Sequence, residues 1–246
     1  MKARSFSWIL FFVIAFAGLW AAGDLGNKAA DLYRRWFRDP AVIRDYLETH
    51  AVRKLHIGAG GNDPPGWLNT DIAPNRDEVY LDATKPFPLP DGSFHYIFSE
   101  HMIQAVSWEG GLAMLKECRR VLAPGGKLRI VTPNLAKFVQ LLNEDPDADA
   151  RRFMAAKSRL HGWRENPVTG VHIFNRQMRD WGTQFLYDPP TLRKSLELAG
   201  FTEIAEYAVD TETDPVFREA EIRTRNEGSD LWIVNRWESM AFEAVR

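Results

Sequence analysis

The stretch Lys54 to Asp71, KLHIGAGGNDPPGWLNTD, constrains the fold more than any other part of this chain. Leu55 to Ile57 is a short, mostly apolar run that ends in Gly58-Ala59-Gly60-Gly61, and it reads as a buried strand entering a glycine loop. Glycines there let backbone approach a ligand with no Cβ in the way. Pro64-Pro65-Gly66 forces a turn, and Trp67 to Ile72 reads as a second strand. That strand carries Asp71, where nucleotide-binding α/β folds place an acid for the ribose hydroxyls. A dinucleotide fingerprint needs Gly-x-Gly-x-x-Gly, with the acid roughly 20 residues on. Gly58 and Gly60 fit, but Asp63 holds the third position, the acid arrives early, and two prolines prevent a helix between the strands. A nicotinamide dehydrogenase is therefore disfavoured. A plain strand-to-strand turn is the competing reading of the glycines taken alone.

Downstream, His95 to Ser99 and Lys127 to Thr132 read as further strands, with Asp91-Gly92 as a tight turn before the first of them. Glu109 to Leu122 reads as a helix ended by Pro124-Gly125-Gly126. Strands separated by helices imply a mostly parallel sheet. Such sheets bind ligands beyond the carboxyl ends of their strands. Gly58, Asp71, Ser99, Glu100, His101 and Thr132-Pro133-Asn134 all fall at such ends, which points to one site; the competing reading of Glu100 and His101 is a capped loop without a ligand. Thr191 to Ala199 is expected as a helix stopped by Gly200, and Phe201 to Ile204 begins another strand. Leu231–Val234 and Met240–Val245 are expected as a final antiparallel pair.

These motifs, taken in order with Tyr80-Leu81-Asp82, LPDGSFHYIFSEH and LKECRRVLAPGGKLRIVTPN, resemble a class I S-adenosylmethionine (SAM)-dependent methyltransferase of the type 11 group, from about Arg53 to Gly200. The resemblance implies an α/β, Rossmann-like sheet, mostly parallel with a reversed last strand. It implies that Gly58, Ala59 and Gly60 lie under the methionine and ribose part of SAM, that Asp71 is the ribose acid, and that Asp82 meets the adenine amino group. Phe94 to Ser99 matches the fourth strand, and Leu122 to Leu128 the turn into the fifth. Ser99 and Glu100, at the end of that fourth strand, join the cofactor set. Two departures stand out. His56-Ile57-Gly58-Ala59 replaces the family's acid before the first glycine, or its Asn-Ile-Gly-Cys. His101-Met102-Ile103-Gln104-Ala105 stands where His-x-Leu-Glu-His is common.

The 246 residues are one domain with additions, and at 45% hydrophobic they supply a sizeable core. A net charge of −2 gives no bulk field toward nucleic acid. One cysteine, Cys118, excludes an internal disulfide, and its helical spacing with Met114, Leu115, Val121 and Leu122 reads as core. The six histidines form no metal signature. Residues 1–27 are a hydrophobic segment, uncharged from Ser5 to Gly23 and near the lower length for a membrane span. Trp8 and Trp20 suit the two interfaces, and Lys28, Arg34, Arg35 and Arg38 favour a cytoplasmic domain. A cleaved signal ending at Ala21-Ala22-Gly23 and a misplaced start codon, which would leave a soluble cytoplasmic protein, are the alternatives. Residues 28–52 read as a helical linker, broken at Pro40, whose arginines suit a membrane surface or whose apolar pairs pack on the domain.

Within the domain at 53–246, residues 143–190 form a long insertion read as a cap over the strand ends, with a helix from Ala150 to Leu160. It carries His161, Trp163, Arg164, His172, Asn175, Arg176, Arg179 and Trp181. Trp163, Asn175, Arg176 and Trp181 are the expected acceptor-binding set, since flat aromatic faces with forked donors suit a polyhydroxyl ligand. The competing reading is a structural subdomain. The expected activity is methyl transfer from SAM to a small-molecule or glycan-type acceptor, mainly by alignment and exclusion of water. His101, then His172, are the candidate bases where the acceptor must lose a proton. The alternative, motivated by Gln104-Ala105, is a non-catalytic binding or assembly module at the membrane.

Overall fold

The computed structural model describes residues 32–164, 167–211 and 214–246. The hydrophobic stretch at residues 5–23 lies outside them. Among the described residues no helix is long and apolar enough to cross a membrane. The chain divides into two compact units, Met1–Asp45 and Tyr46–Arg246.

In the first unit the helix does not break at Pro40 as expected. A π-turn over Arg34–Arg38 runs directly into helix α1, Asp39–Thr49, and the Asp39 N–H bonds back to the Arg34 carbonyl, five residues away. Proline has no N–H and its ring crowds the carbonyl four residues earlier. Widening the preceding turn accommodates both, so the helix continues.

The second unit is a seven-stranded sheet of order β3-β2-β1-β4-β5-β7-β6. Its strands are β1 Lys54–Ile57, β2 Leu68–Asp71, β3 Val79–Tyr80, β4 Phe94–Glu100, β5 Leu122–Pro133, β6 Thr202–Tyr207 and β7 Ser239–Val245. The first five pair in parallel, while β7 runs antiparallel to β5 and β6. This is the mostly parallel sheet with a reversed last strand that was expected. Leu231–Val234 is not a strand, however. It lies in helix α7, Asp230–Glu238, whose N-cap Ser229 accepts a bond from the Trp232 N–H. The partner of β7 on its outer side is β6 instead.

Helix α2, Trp108–Val121, shows why the sequence packs as it does. Ser107 caps its N-terminus, Glu109 lies in the first turn and Arg119 and Arg120 in the last, each favourable to the helix dipole. Its buried residues Gly111, Met114, Leu115, Cys118 and Val121 recur at helical spacing. Burial pushes the Cys118 thiol far up, as befits a core residue.

No helix joins β1 to β2, because Pro64 and Pro65 occupy that link. The sheet face there is covered from the far end of the chain. Val209, Phe217 and Ala220 pack with Trp67, Phe98, Val131 and Ala241 in one apolar cluster. Polar bonds pin the same segment: Asn62 Nδ2 donates to the Ala220 carbonyl (2.9 Å), and Tyr96 donates to Asp214 (2.9 Å).

Helices α3 Leu135–Gln140, α4 Ala148–His161 and α5 Gly170–Arg179 follow β5, and α6, Pro189–Leu198, leads to β6. Phe138, Leu141, Ala150, Phe153, Ala156, Ile173 and Val234 form their shared core with α7. The helical group thus begins where β5 ends, at Asn134, whose side chain caps α3.

Candidate active site

The glycine loop follows β1 directly. The Gly58 and Ala59 N–H groups both donate to the Thr70 carbonyl, at 2.9 and 3.0 Å, which ties the loop to the end of β2. Gly58 has φ +72°, and a Cβ there would meet Met102 Cγ at 2.3 Å. Gly60 has φ +57°, and a Cβ there would meet nothing within 4 Å. Left-handed backbone with open space above it is a cradle that a ligand can approach closely. Met102 was missed by sequence reasoning. Its position one residue past His101 was the only signal.

Asp71 ends β2 beside this loop. Its Oδ2 accepts from the Gly60 N–H (3.1 Å) and its Oδ1 from the Ala73 N–H (2.8 Å). Each carboxylate oxygen keeps further acceptor capacity. Glu78, another residue the sequence did not single out, is buried and holds the loop from below: it accepts from Gly61 N (2.9 Å) and Asn75 N (2.7 Å). Asp82, after β3, accepts from the Thr84 N–H and hydroxyl (2.9 and 2.7 Å), an Asx turn that fixes its carboxylate.

At the end of β4, Ser99 and Glu100 are buried, and the Ser99 hydroxyl has no hydrogen-bond partner among the described residues. His101 adopts φ +52°, rare for a side chain with a Cβ. It is held there from three directions: its N–H donates to Val131 O (2.8 Å), its carbonyl accepts from Gln104 Nε2 (2.7 Å), and its Nε2 lies 2.8 Å from Ser239 Oγ. The Ser239 hydroxyl donates to Asn235 Oδ1 (2.9 Å), and Asn235 Nδ2 donates to Glu100 Oε1 (3.2 Å). A serine has one proton to give, so His101 Nε2–H must be the donor to Ser239. Burial, then the Arg223 and Lys157 charges, push His101 well below the ordinary histidine range. The ring is therefore neutral, with Nδ1 as its basic nitrogen. Burial raises Glu100 to about 7, against the opposing pull of Arg223. Gln104 serves structure here: its Oε1 accepts from Thr132 (3.1 Å), and its carbonyl accepts from Gln184 N (2.8 Å) and Phe185 N (3.2 Å).

In the insertion, His161 stacks on Trp163 (centroids 5.4 Å apart) and leans on Trp181 (5.0 Å). The Arg176 guanidinium lies 4.6 Å from the Trp163 ring centroid. Buried Lys157 sits 5.2 Å from the Trp181 ring centroid and bonds Glu238, the neighbour of Ser239. Partial burial, then the charges of Lys157 and Arg176, lower His161. His172, Asn175 and Arg176 line one concavity of about 370 Å³ on α5, with Val171, Arg179 and Asp180. His172 also caps its own helix, with Nδ1 2.8 Å from Thr169 Oγ1. Two groups thus emerge from the expected residues. Gly58, Ala59, Gly60, Asp71, Asp82, Ser99, Glu100 and His101 gather along the ends of β1 to β4, whereas Trp163, His172, Asn175, Arg176 and Trp181 belong to the helical insertion. Among the described residues no hydrogen bond joins His101 to His172, and no group of His, Cys, Asp or Glu is arranged to hold a metal.

Residues 69–130 match the family described as a methyltransferase domain. No curated protein matches the chain significantly. Among solved structures, a SAM-dependent methyltransferase from Archaeoglobus fulgidus is 17% identical over 84% of this chain and 92% of its own, with a TM-score of 0.46. One from Mesorhizobium loti is also 17% identical, over 84% of this chain and 96% of its own, TM-score 0.46. Phosphoethanolamine N-methyltransferase 2 of Haemonchus contortus, solved with SAM, is 16% identical over 86% of this chain and 52% of its own, TM-score 0.41. The domain match spans β2 into β5, and it takes in Asp71, Asp82, Ser99 and Glu100 but not the Gly58–Gly60 loop. The cofactor that the sequence resemblance implies is S-adenosyl-L-methionine. The residues fit it: an open glycine cradle at Gly60, with acids at the ends of the two neighbouring strands.

Proposed function

We propose that the protein is a SAM-dependent methyltransferase acting on a small polyhydroxyl acceptor, a sugar or glycan unit, held by the helical insertion. The observation that carries the reading is the array Trp163–His161–Trp181 with Arg176 on its outer ring, next to a concavity lined by His172, Asn175 and Arg176. Aromatic faces bind the apolar faces of sugar rings, and guanidinium and amide groups bind their hydroxyls. Gly58 to Gly60 and Asp71 hold the methionine and ribose parts of SAM, and Asp82 the adenine. When bound, SAM supplies a methyl group made electrophilic by its sulfonium. The chain's part is to align the acceptor oxygen, exclude water and take up a proton. Nδ1 of His101 is the base in this reading, since its Nε2–H is committed to Ser239. Residues 5–23 are proposed to anchor the enzyme in a membrane with the domain in the cytoplasm, from their length and lack of charge. Deleting the residues before Lys28 should then release a soluble, SAM-binding domain.

The test incubates the protein with methyl-labelled SAM and cell extract, fractionates the labelled product and identifies it. Trp163→Ala and Arg176→Ala, each checked for folding, should lower turnover at least tenfold and leave SAM affinity near that of the parent. A product without hydroxyl-rich character, or turnover unchanged in both variants, overturns the acceptor reading. SAM binding with no product from any extract favours the non-catalytic module.

A further inference from the structure

A second concavity, of about 260 Å³, opens between α3, α4 and α7, on residues the methyl-transfer reading does not use. Its lining is Lys137, Asp149, Arg152, Trp232, Ile233, Arg236 and Trp237. Three cations face one carboxylate there. Arg236 is paired with Asp210, but Lys137 and Arg152 have no carboxylate partner among the described residues. Three cations around a hollow with one carboxylate in its lining leave a local positive excess, and an anion relieves it.

The tryptophans arrange these charges. Lys137 Nζ lies 5.7 Å from the Trp237 centroid, and Arg236 Cζ 5.0 Å from that of Trp232, both within cation–π range. The Trp237 ring is fixed in turn by stacking on Phe153, at 4.1 Å between centroids and 18° between planes. Trp232 is half-buried, so part of its surface stays open to the hollow. The hollow is slightly smaller than the usual range of ligand sites, with room for one ring and its substituent.

The geometry points to a binding site for a phosphorylated small molecule of sugar size, its phosphate on Lys137 and Arg152 and its ring against Trp232. Charge-assisted bonds to two cations supply the attraction, and the flat indole supplies the preference for a ring. The site sits on the same helix, α7, whose Asn235 reaches Glu100 and Ser239.

Calorimetric titration of the full chain, without SAM, decides the matter, using glucose 6-phosphate, glucose and inorganic phosphate as probes. Glucose 6-phosphate should bind more tightly than inorganic phosphate, any glucose signal should be unchanged by Lys137→Gln and Arg152→Gln, and raising salt from about 0.05 to about 0.5 M should weaken glucose 6-phosphate binding several-fold, because exposed charges are screened. Lys137→Gln and Arg152→Gln should each weaken glucose 6-phosphate at least fivefold, and Trp232→Ala should remove its advantage over inorganic phosphate. Arg176→Gln, in the other concavity, should leave it unchanged. No binding of glucose 6-phosphate, or binding undiminished in both Lys137→Gln and Arg152→Gln, overturns the site. So does loss of binding in Arg176→Gln alone.

Discussion

Met102 packs against Gly58 so closely that a Cβ on the glycine would lie 2.3 Å from Met102 Cγ and 2.6 Å from its Cβ. The residue after the β4 motif thus fixes the identity of the first loop glycine. Gly58→Ala should destabilise the protein through two effects, about 1 kcal/mol from left-handed backbone and about 1–3 kcal/mol from overlap. Met102→Ala added to Gly58→Ala should recover the part of the overlap owed to Cγ, but not the part owed to the Cβ that alanine keeps, nor the backbone cost. Urea unfolding of the two single variants and the double measures this. Strict additivity would mean that Met102 is not what excludes a side chain at Gly58.

Asp71 holds Gly60 and Ala73 through separate oxygens, so its carboxylate is placed before any cofactor arrives. Hydrogen bonds to a charged acceptor are worth about 1.5–3 kcal/mol each. Asp71→Ala should therefore weaken SAM binding at least tenfold in a calorimetric titration. Asp71→Asn, which keeps one acceptor oxygen, should fall between the two. Parent-like affinity in both would move the ribose site elsewhere.

Arg129 is wholly buried in β5, bonded to Glu221 (2.8 Å) and to Glu243 (2.9 Å). Breaking such a group from one side leaves an uncompensated charge, at about 3–5 kcal/mol. Arg129→Met alone should cost that much, since it removes the buried cation bonded to two buried carboxylates. Arg129→Met with Glu221→Gln and Glu243→Gln should recover a large part of it. Chemical denaturation of both variants is the measurement, and equal losses would show that the ionic group adds nothing beyond the fit of its side chains.

Much of the sheet is legible from the chain itself, because β1, β2, β4 and β5 each combine an apolar run with a turn signal. Helix α2 is legible from its periodicity and its Pro-Gly-Gly stop. β3 is not, since two residues, Val79 and Tyr80, carry no period. α7 misleads because Leu231-Trp232-Ile233-Val234 is a short apolar run rich in β-formers, and such runs do not separate strand from helix. The Ser229 cap was the available signal, three residues before the N–H it accepts. The site divides the same way. The positions of Gly58, Asp71 and Asp82 are readable because each stands at or just past the end of a strand. The His101–Ser239–Asn235–Glu100 chain is not, because it joins residues 138 apart, and nothing local marks Ser239 or Asn235.

His56 and Glu100 should give opposite pH dependences to stability. Burial among Trp67 and Phe98 lowers His56 from 6.5 to about 4, only partly offset by Asn69. The folded state then binds fewer protons than the unfolded one, so His56 lowers stability as pH falls from 6.5 toward 4. Glu100 is raised from 4.5 to about 7. Here the folded state keeps a proton that the unfolded state has lost, so Glu100 lowers stability as pH rises from 4.5 toward 7. Each shift corresponds to something on the order of 3 kcal/mol across its window. His101, lowered likewise, adds a slope of the His56 sign, so two histidines outweigh Glu100 between pH 4.5 and 6.5 and the parent should gain stability with pH there. Glu100→Gln, which mimics the protonated acid, should make that climb steeper. His56→Phe should reduce the acid-side loss and leave a decline toward pH 7, with buried His101 still contributing below its ordinary range. Urea midpoints at pH 5 and pH 7 for the three proteins check this. If both variants keep the parent's pH profile, neither group is perturbed in the folded state.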